Sequence, residues 1–453
     1  MSRTSLAFFG GVNEIGGNKI LLQDRDTRVF LDFGLSFAKE EKYFSGYLCP
    51  RSVNGAGDYL EFGLLPRLKG LYSKDAIENT KIQYAEPEVD GIVLSHAHFD
   101  HVGHLAFVDE KIPVYCGEGT KMILEAVEES SQSDLGEHEY KTFRTGKKIR
   151  LGSLEIEPVH VDHSIPAAYG FIIHTSEGTI LYSGDFRIHG PLRRMTWEFV
   201  EKARASDVQL MISEGTRVSP KESHKIHSEI RVKEASRKVV ANTSKLVIAS
   251  FYSRDVDRFK TFYEIAKEND RKLVIPVKLA HLLHKLRDDS RLEIPDVEND
   301  ETVISYKKRK KSGEYQPTDY YAWERPFLEK AEDYSYIREN QSKVMFNLDL
   351  TGFAELIDVQ PSAGGEFIYS MSEPFSEEDV KPKVLHNWLD HFGLRFSQIH
   401  ASGHCPSEDL ARVIDKIKPE TIVPIHTEHP QLFRIRFKKH NVKLVKEGEK
   451  ISL

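Results

Sequence analysis

Four metal-competent side chains fall within six residues, His96-Ala97-His98-Phe99-Asp100-His101, directly after the apolar run Gly91-Ile92-Val93-Leu94. A buried strand that ends this way hands its imidazoles and carboxylate to a loop that can turn them toward one point. Borderline cations such as zinc take imidazole nitrogen and carboxylate oxygen. Holding two such ions about 3.5–4 Å apart needs more than four ligands. Three further candidates stand at the ends of later apolar runs: His163 in Val161-Asp162-His163, Asp185 in Tyr182-Ser183-Gly184-Asp185, and His426 in Pro424-Ile425-His426. Any fold for this chain must gather strand ends that lie as far apart as residues 96 and 426.

The surrounding pattern supplies such strands. Short apolar runs separated by glycines occupy residues 6–36, including Val29 to Leu35 around Asp32, and recur at Gly91–Ser95, Gly170–His174 and Thr179–Ser183. Helical apolar spacing over Gly119–Ser131 (Met122, Ile123, Ala126, Val127) between them predicts a layered α/β or α+β unit. From about 218 to 385 the chain alternates helix and strand: Ile226–Thr243 helical, Lys245–Ser250 a strand, Val256–Glu268 helical, Lys272–Pro276 a strand. Leu410, Val413, Ile414 and Ile417 mark a helix that stops before Pro419, and Thr421 to Ile425 reads as a buried strand. Arg434, Arg436 and Lys438 alternate as along a strand.

Composition narrows the function classes. Apolar residues make up 40% of 453, too many for a disordered chain, and the formal charge of −7 excludes a uniformly basic coat for nucleic acid. A confined basic groove stays compatible with that balance. The three cysteines, Cys49, Cys116 and Cys405, have no CxxC spacing, which points to a reducing compartment. The first ten residues lack a signal-peptide core, and no run approaches the roughly 18 apolar residues of a membrane helix. A cytoplasmic protein without membrane partners is expected.

These strings resemble the metallo-β-lactamase superfamily, and within it the β-CASP nuclease branch, over essentially the whole chain. The resemblance implies an αββα sandwich built from residues 1–216 and 386–453, with an α/β β-CASP domain inserted at 217–385. It implies two Zn²⁺ ions, one held by His96, His98 and His163, the other by Asp100, His101 and His426, with Asp185 bridging. The branch adds three motifs, which look like Glu214 in Ile212-Ser213-Glu214-Gly215-Thr216, His404 in Ser402-Gly403-His404, and His426. Asp100, Asp185, Glu214 and His404 are then the catalytic residues, and Ser402, Gly403 and His404 meet the substrate. In that scheme water activated between the metals attacks a phosphodiester, and His404, oriented and kept charged by Glu214, protonates the leaving 3′-oxygen.

RNA-directed members of the branch resemble each other in having His at the third added motif, so His426 points to single-stranded RNA. The strings around His404 and His426 are most similar to the RNase J group, 5′-to-3′ exoribonucleases that often cut internally as well. A β-CASP DNA nuclease, a small-ester or thioester hydrolase on the same core, and a non-enzymatic RNA-binding subunit are the rival readings. An insertion of about 170 residues suits a polymer, and seven filled ligand positions speak against the last rival. A homodimer stays open as the assembly.

Three features depart from the RNase J pattern. The chain ends 27 residues after His426, short of that group's further C-terminal domain. The nearest counterpart of its phosphate-seating segment is Pro361-Ser362-Ala363-Gly364-Gly365-Glu366, whose glycines would offer backbone N–H groups. Glu214-Gly215-Thr216 replaces an acidic-Ser-Thr string. The basic run Lys307–Lys311, followed by Tyr315, Tyr320, Tyr321 and Trp323, reads either as an RNA contact or as a solvated loop. His104, close behind the ligand loop, is a candidate to support it.

Overall fold

Period-two alternation accounts for the first sheet of the computed structural model, which describes residues 3–130, 133–220, 228–372 and 381–453. In β1 (Ser5–Gly10), β2 (Lys19–Asp24) and β3 (Thr27–Phe33), Leu6, Phe8, Ile20, Leu22, Val29 and Leu31 face one core, whereas Leu21, Phe30 and Phe33 face another. The step from Leu31 to Phe33 skips one residue because the register slips there and leaves Asp32 in a bulge, at φ 58°. β4 (Gly91–Val93), β5 (Val114–Gly117) and β6 (Tyr140–Phe143) continue the sheet in parallel.

The second sheet runs antiparallel through β7 (Ile149–Leu151), β8 (Leu154–Val161), β9 (Ala168–His174) and β10 (Thr179–Tyr182), then adds β11 (Val208–Glu214) in parallel. The third sheet is entirely parallel: β12 (Val247–Ser250), β13 (Lys272–Pro276), β14 (Val303–Tyr306), β15 (Val344–Asn347), β16 (Glu366–Tyr369) and β17 (Arg395–Gln398), in the order 14-13-15-12-16-17. The chain then returns. β18 (Thr421–Ile425) pairs with β11, β19 (Asn441–Val442) pairs with β18, and β20 (Lys450–Ser452) closes on β1.

Inward side chains of the first two sheets form one core between them. Helix Glu118–Glu129 covers the first sheet with Ile123, Leu124 and Val127; helices Arg193–Arg204 and Ser407–Ile417 cover the second with Phe199, Val200, Leu410 and Val413. This is an αββα sandwich. The third sheet carries helices Val256–Glu268 and Val277–Leu286 on one face and Lys381–Phe392 on the other. Its first face joins the apolar cluster under Glu118–Glu129, so the inserted unit sits on the sandwich through a shared core.

Two local expectations change. Arg434 and Arg436 lie on the helix Gln431–Arg436, and Lys438 follows it, because Phe433 and Phe437, four residues apart, pack with tilted rings 4.9 Å apart against the second sheet's outer core. Position 385 falls inside helix Lys381–Phe392, whose Leu385 and Leu389 pack on the third sheet, and that sheet ends only at Gln398. β17 is an exposed, polar edge strand with little apolar signal of its own.

Candidate metal centre

Every candidate ligand sits just past the end of a strand that the two-sheet core has buried. His96, His98, Asp100 and His101 follow β4; His163 follows β8; Asp185 follows β10; His426 follows β18. The structure brings all seven together in two groups that meet at Asp185.

In the first group His98 Nδ1 lies 3.0 Å from His96 Nε2 and 3.2 Å from His163 Nε2. The hydrogen bonds behind these rings fix their tautomers. His163 Nδ1 donates to the Gly403 carbonyl (2.7 Å), and His96 Nδ1 donates to Ser95 Oγ (3.0 Å), which itself donates to Asp32. His96 Nε2 and His163 Nε2 therefore both aim lone pairs at His98, whose single ring proton satisfies only one of them. A cation resolves that conflict, and tetrahedral zinc–imidazole bonds would separate such nitrogens by about 3.3 Å. Burial holds His96 and His98 well below the ordinary imidazole pKa and takes His163 down to about 3, leaving the neutral form that binds metal.

The second group faces it. His101 Nε2 stands 3.1 Å from Asp185 Oδ2, and His426 Nε2 stands 3.0 Å from Asp100 Oδ2 and 3.5 Å from Asp185 Oδ2. Asp185 Oδ2 is also 3.8 Å from His96 Nε2, whereas the buried Asp185 Oδ1 has no hydrogen-bond partner. A buried carboxylate with one oxygen facing both sets of imidazoles and the other unpartnered fits a ligand shared by two cations. Burial works against charge on Asp185, but His426, His101 and His404 hold its pKa well below the usual carboxylate range. Burial likewise opposes charge on His101, and Asp185, Asp32 and Asp100 override it; a cation takes the place of that proton. The donor set thus fits two divalent cations.

Glu214 and His404 complete the site. Glu214 is buried, accepts from the backbone N–H groups of Thr216 (3.1 Å), Phe186 and Cys405 (3.4 Å each), and lies 3.4 Å from His404 Nδ1. Burial disfavours charge on both partners, yet the carboxylate drives the His404 pKa up and the imidazole drives the Glu214 pKa down. Ser402 Oγ accepts from His404 N–H at 3.1 Å, and a Cβ at Gly403 would meet Ser164 Oγ at 2.7 Å and His163 Cε1 at 3.0 Å. Both residues are engaged in holding His404 and His163.

Several supporting residues carry only faint sequence signals. Asp32, a lone charge inside an apolar run, accepts from Ser95 N–H (2.7 Å), Ser95 Oγ (2.8 Å), Tyr182 O–H (2.5 Å) and His101 Nδ1 (2.7 Å). Thr216 Oγ1 touches His426 Nδ1 (2.8 Å) and His404 Nδ1 (3.1 Å). His189 donates to the Ser402 carbonyl at 2.8 Å. His104 instead reaches Glu40 at 3.1 Å and packs on Tyr59, away from the ligands. The Pro361–Glu366 glycines offer nothing to a phosphate: Gly364 N–H is bonded to Gly393 O, Gly365 N–H to Ser362 O, and Glu366 N–H to Leu246 O. The basic run is folded onto its own neighbours, with Lys307 over Tyr315, Lys310 over Tyr320 and Tyr321 and paired to Glu324, and Lys308 paired to Glu355.

Comparison with known proteins agrees with this architecture. Residues 72–247 match a beta-lactamase superfamily domain, and residues 393–446 match a Zn-dependent metallo-hydrolase RNA specificity domain. Ribonuclease J of Helicobacter pylori is 23% identical across 98% of this chain, which covers 60% of that protein. Ribonuclease J of Sinorhizobium meliloti is 26% identical over 75% of this chain and 58% of its own length, and that of Mycoplasma genitalium 22% over 99% and 74%. The chain therefore spans about 60% of the length of the first two. A crystal structure of a protein of unknown function from Enterococcus faecalis V583 shares the fold, with a TM-score of 0.77 at 24% identity and full coverage of both chains.

The sandwich, and the His and Asp clusters at its strand ends, make this chain a member of the metallo-β-lactamase superfamily. Within that superfamily it belongs to the β-CASP, RNase J-like branch.

Proposed function

We propose that the protein is a di-zinc ribonuclease that hydrolyses phosphodiester bonds of single-stranded RNA, with 5′-to-3′ exonuclease and endonuclease activity as in the RNase J group. One observation carries the reading: Asp185 Oδ2 faces both ligand groups while lying 3.7 Å from the His404 ring. His96, His98 and His163 would hold one zinc and Asp100, His101 and His426 the other, with Asp185 shared. When bound, the ions supply activation of water and neutralisation of phosphodiester charge.

The chain's own residues do the rest. Glu214, pinned by three backbone N–H groups, fixes the His404 ring and favours its charged form. His404, still partly exposed, gives its proton to the leaving 3′-oxygen. Thr216 ties that ring to His426, so donor and ligand keep one spacing. Ser402 and Gly403 border the path of the substrate. The sandwich comprises residues 1–216 and the segment after Gln398, with the β-CASP unit between them. Among the described residues no helix is long and apolar enough to cross a membrane, and the three cysteines are free, which supports a cytoplasmic setting. Light scattering tests a homodimer.

The deciding experiment digests one RNA labelled at either end and carrying a 5′-hydroxyl, monophosphate or triphosphate. Mononucleotides released from the 5′ end, with internal cuts besides, are expected from the zinc-loaded protein, and Asp185→Ala abolishes both. An unchanged RNA, or full activity in a folded Asp185→Ala protein, sinks the reading.

A further inference from the structure

We propose that Arg254, with Lys278 behind it and Tyr252 beside it, is a backbone-phosphate clamp through which the inserted unit seats a single-stranded polynucleotide over the metal centre; this rests on the nuclease reading above. β12 stops at Ser250, and the loop Phe251-Tyr252-Ser253-Arg254 leaves the C-terminal edge of a parallel sheet, the edge at which ligands of such sheets gather. The loop reaches back onto the sandwich. Arg254 Nη1 donates to the Ala97 carbonyl at 3.2 Å, and the guanidinium lies 4.4 Å from the centroid of the Phe99 ring. Ala97 and Phe99 alternate with His96, His98 and Asp100, so the charge stands immediately beside the ligand loop.

That guanidinium is underused. Burial disfavours its charge and Asp100 alone acts in the opposite direction, without a carboxylate paired to it among the described residues. Half-buried and with five N–H donors in a planar fork, Arg254 gives one of them to a carbonyl. The donors left over suit an anion, ideally a bidentate phosphate. Lys278, exposed in the first turn of helix Val277–Leu286, borders with Arg254, Ser253, Ala126, Val127 and Leu282 a crevice no larger than a water molecule, and no acidic side chain lines it. Two residues away Tyr252 is 50% exposed, with its hydroxyl 3.4 Å from Ser372 Oγ across the mouth of the sheet. A cation for phosphate and a free ring for a base therefore follow each other along one loop. In the basic run at Lys307–Lys311, Lys307 and Lys310 lie over neighbouring tyrosines and Lys308 pairs with Glu355.

The test measures binding of nuclease-resistant phosphorothioate RNA and DNA of one sequence to zinc-loaded protein across a salt series, alongside RNA cleavage. Arg254→Ala is expected to weaken both strands about tenfold and to reduce the salt slope by about 0.7 to 1. The KM for RNA rises by a similar factor, kcat moves by less than about threefold, and the zinc content stays at the wild-type value. Arg254→Lys restores the salt slope but not the full affinity, since an ammonium does not stack on Phe99 as a planar guanidinium does. Wild-type affinity and slope in Arg254→Ala overturn the clamp while leaving the nuclease reading in place. Zinc lost in step with activity overturns it too, because Arg254 would then only prop the ligand loop. A loss confined to RNA contradicts a phosphate contact. A wild-type protein that binds neither strand ends both proposals before any variant is made.

Discussion

Asp32 Oδ2 lies 2.7 Å from His101 Nδ1 while His101 Nε2 faces Asp185 Oδ2 at 3.1 Å, so a single imidazole is held between two buried carboxylates. The bulge at Asp32 makes this possible. A left-handed φ of 58° at a non-glycine residue turns its carboxylate out of the strand's alternation and toward Ser95, Tyr182 and His101. Asp32→Asn presents an N–H group to donors that need an acceptor. It is expected to weaken metal binding at the Asp100–His101–His426 group about 10–100-fold, read by zinc competition with a chelator. Unaltered zinc affinity would show that His101 needs no support from behind.

Thr216 joins two rings with different duties, since its hydroxyl bonds to both His426 and His404. Thr216→Val keeps the shape and removes the bond. The expected result is a fall in kcat of about 10–100-fold with RNA binding retained, whereas Thr216→Ser keeps most of the rate. Equal rates in the Val and Ser variants would count against the bridge.

Gly34 approaches the ligand helix Phe99–Val102 so closely that a Cβ there would lie 1.7 Å from the Asp100 carbonyl oxygen and 2.5 Å from His101 N. Gly34→Ala must displace either β3 or the ligand loop. It should cost about 1–3 kcal/mol of stability and release zinc from the second group first, checked by melting temperature and metal analysis. A zinc-replete variant with the wild-type melting temperature argues that the loop yields freely.

Asp255 begins helix Val256–Glu268 and accepts from Arg258 N–H at 3.0 Å. Burial pushes its pKa up to about 7, Arg258 and Arg187 working against the rise and Glu229 with it. From the unfolded carboxyl value near 3.9 to about 7 the folded protein holds a proton that the unfolded chain has released, so this group makes stability fall as pH rises through that window. An asparagine side chain at this position would still cap the helix but not titrate. The melting temperature of Asp255→Asn minus that of the wild type should therefore climb from pH 4 to 7, at fixed metal loading; a flat difference contradicts the assignment.

What the sequence made legible follows from locality. An imidazole or carboxylate directly after an apolar run marks a strand end, and the seven candidate ligand positions are nameable on that ground alone. The strands at Lys272–Pro276 and Thr421–Ile425 and the helix Val256–Glu268 match their patterns to the residue, because each buries a face of its own. Features that depend on a distant partner were hidden. Asp32 acquires its role only through a register slip against β2. β17 is recruited to its sheet by backbone pairing with β16 and shows almost no apolar signal. The charges at Arg434 and Arg436 mimic strand alternation, while the deciding pair, Phe433 and Phe437, has helical spacing. The glycines near Gly364 look free in sequence until their amides are traced to Gly393, Ser362 and Leu246.

The inserted unit also touches the sandwich through ions. Arg187, two residues after Asp185, bonds Asp162 at 2.7 Å, Glu229 at 2.8 Å and Asp257 at 2.9 Å, and Arg258 ties Glu229 to the carbonyls of Ser370 and Ala401. Asp162 is the neighbour of His163, and Ala401 the neighbour of Ser402. Swinging the insertion away would strip Arg187 of two carboxylates at once, in surroundings where water cannot replace them. The inserted unit is thus locked to the sandwich beside the candidate ligands rather than hinged there.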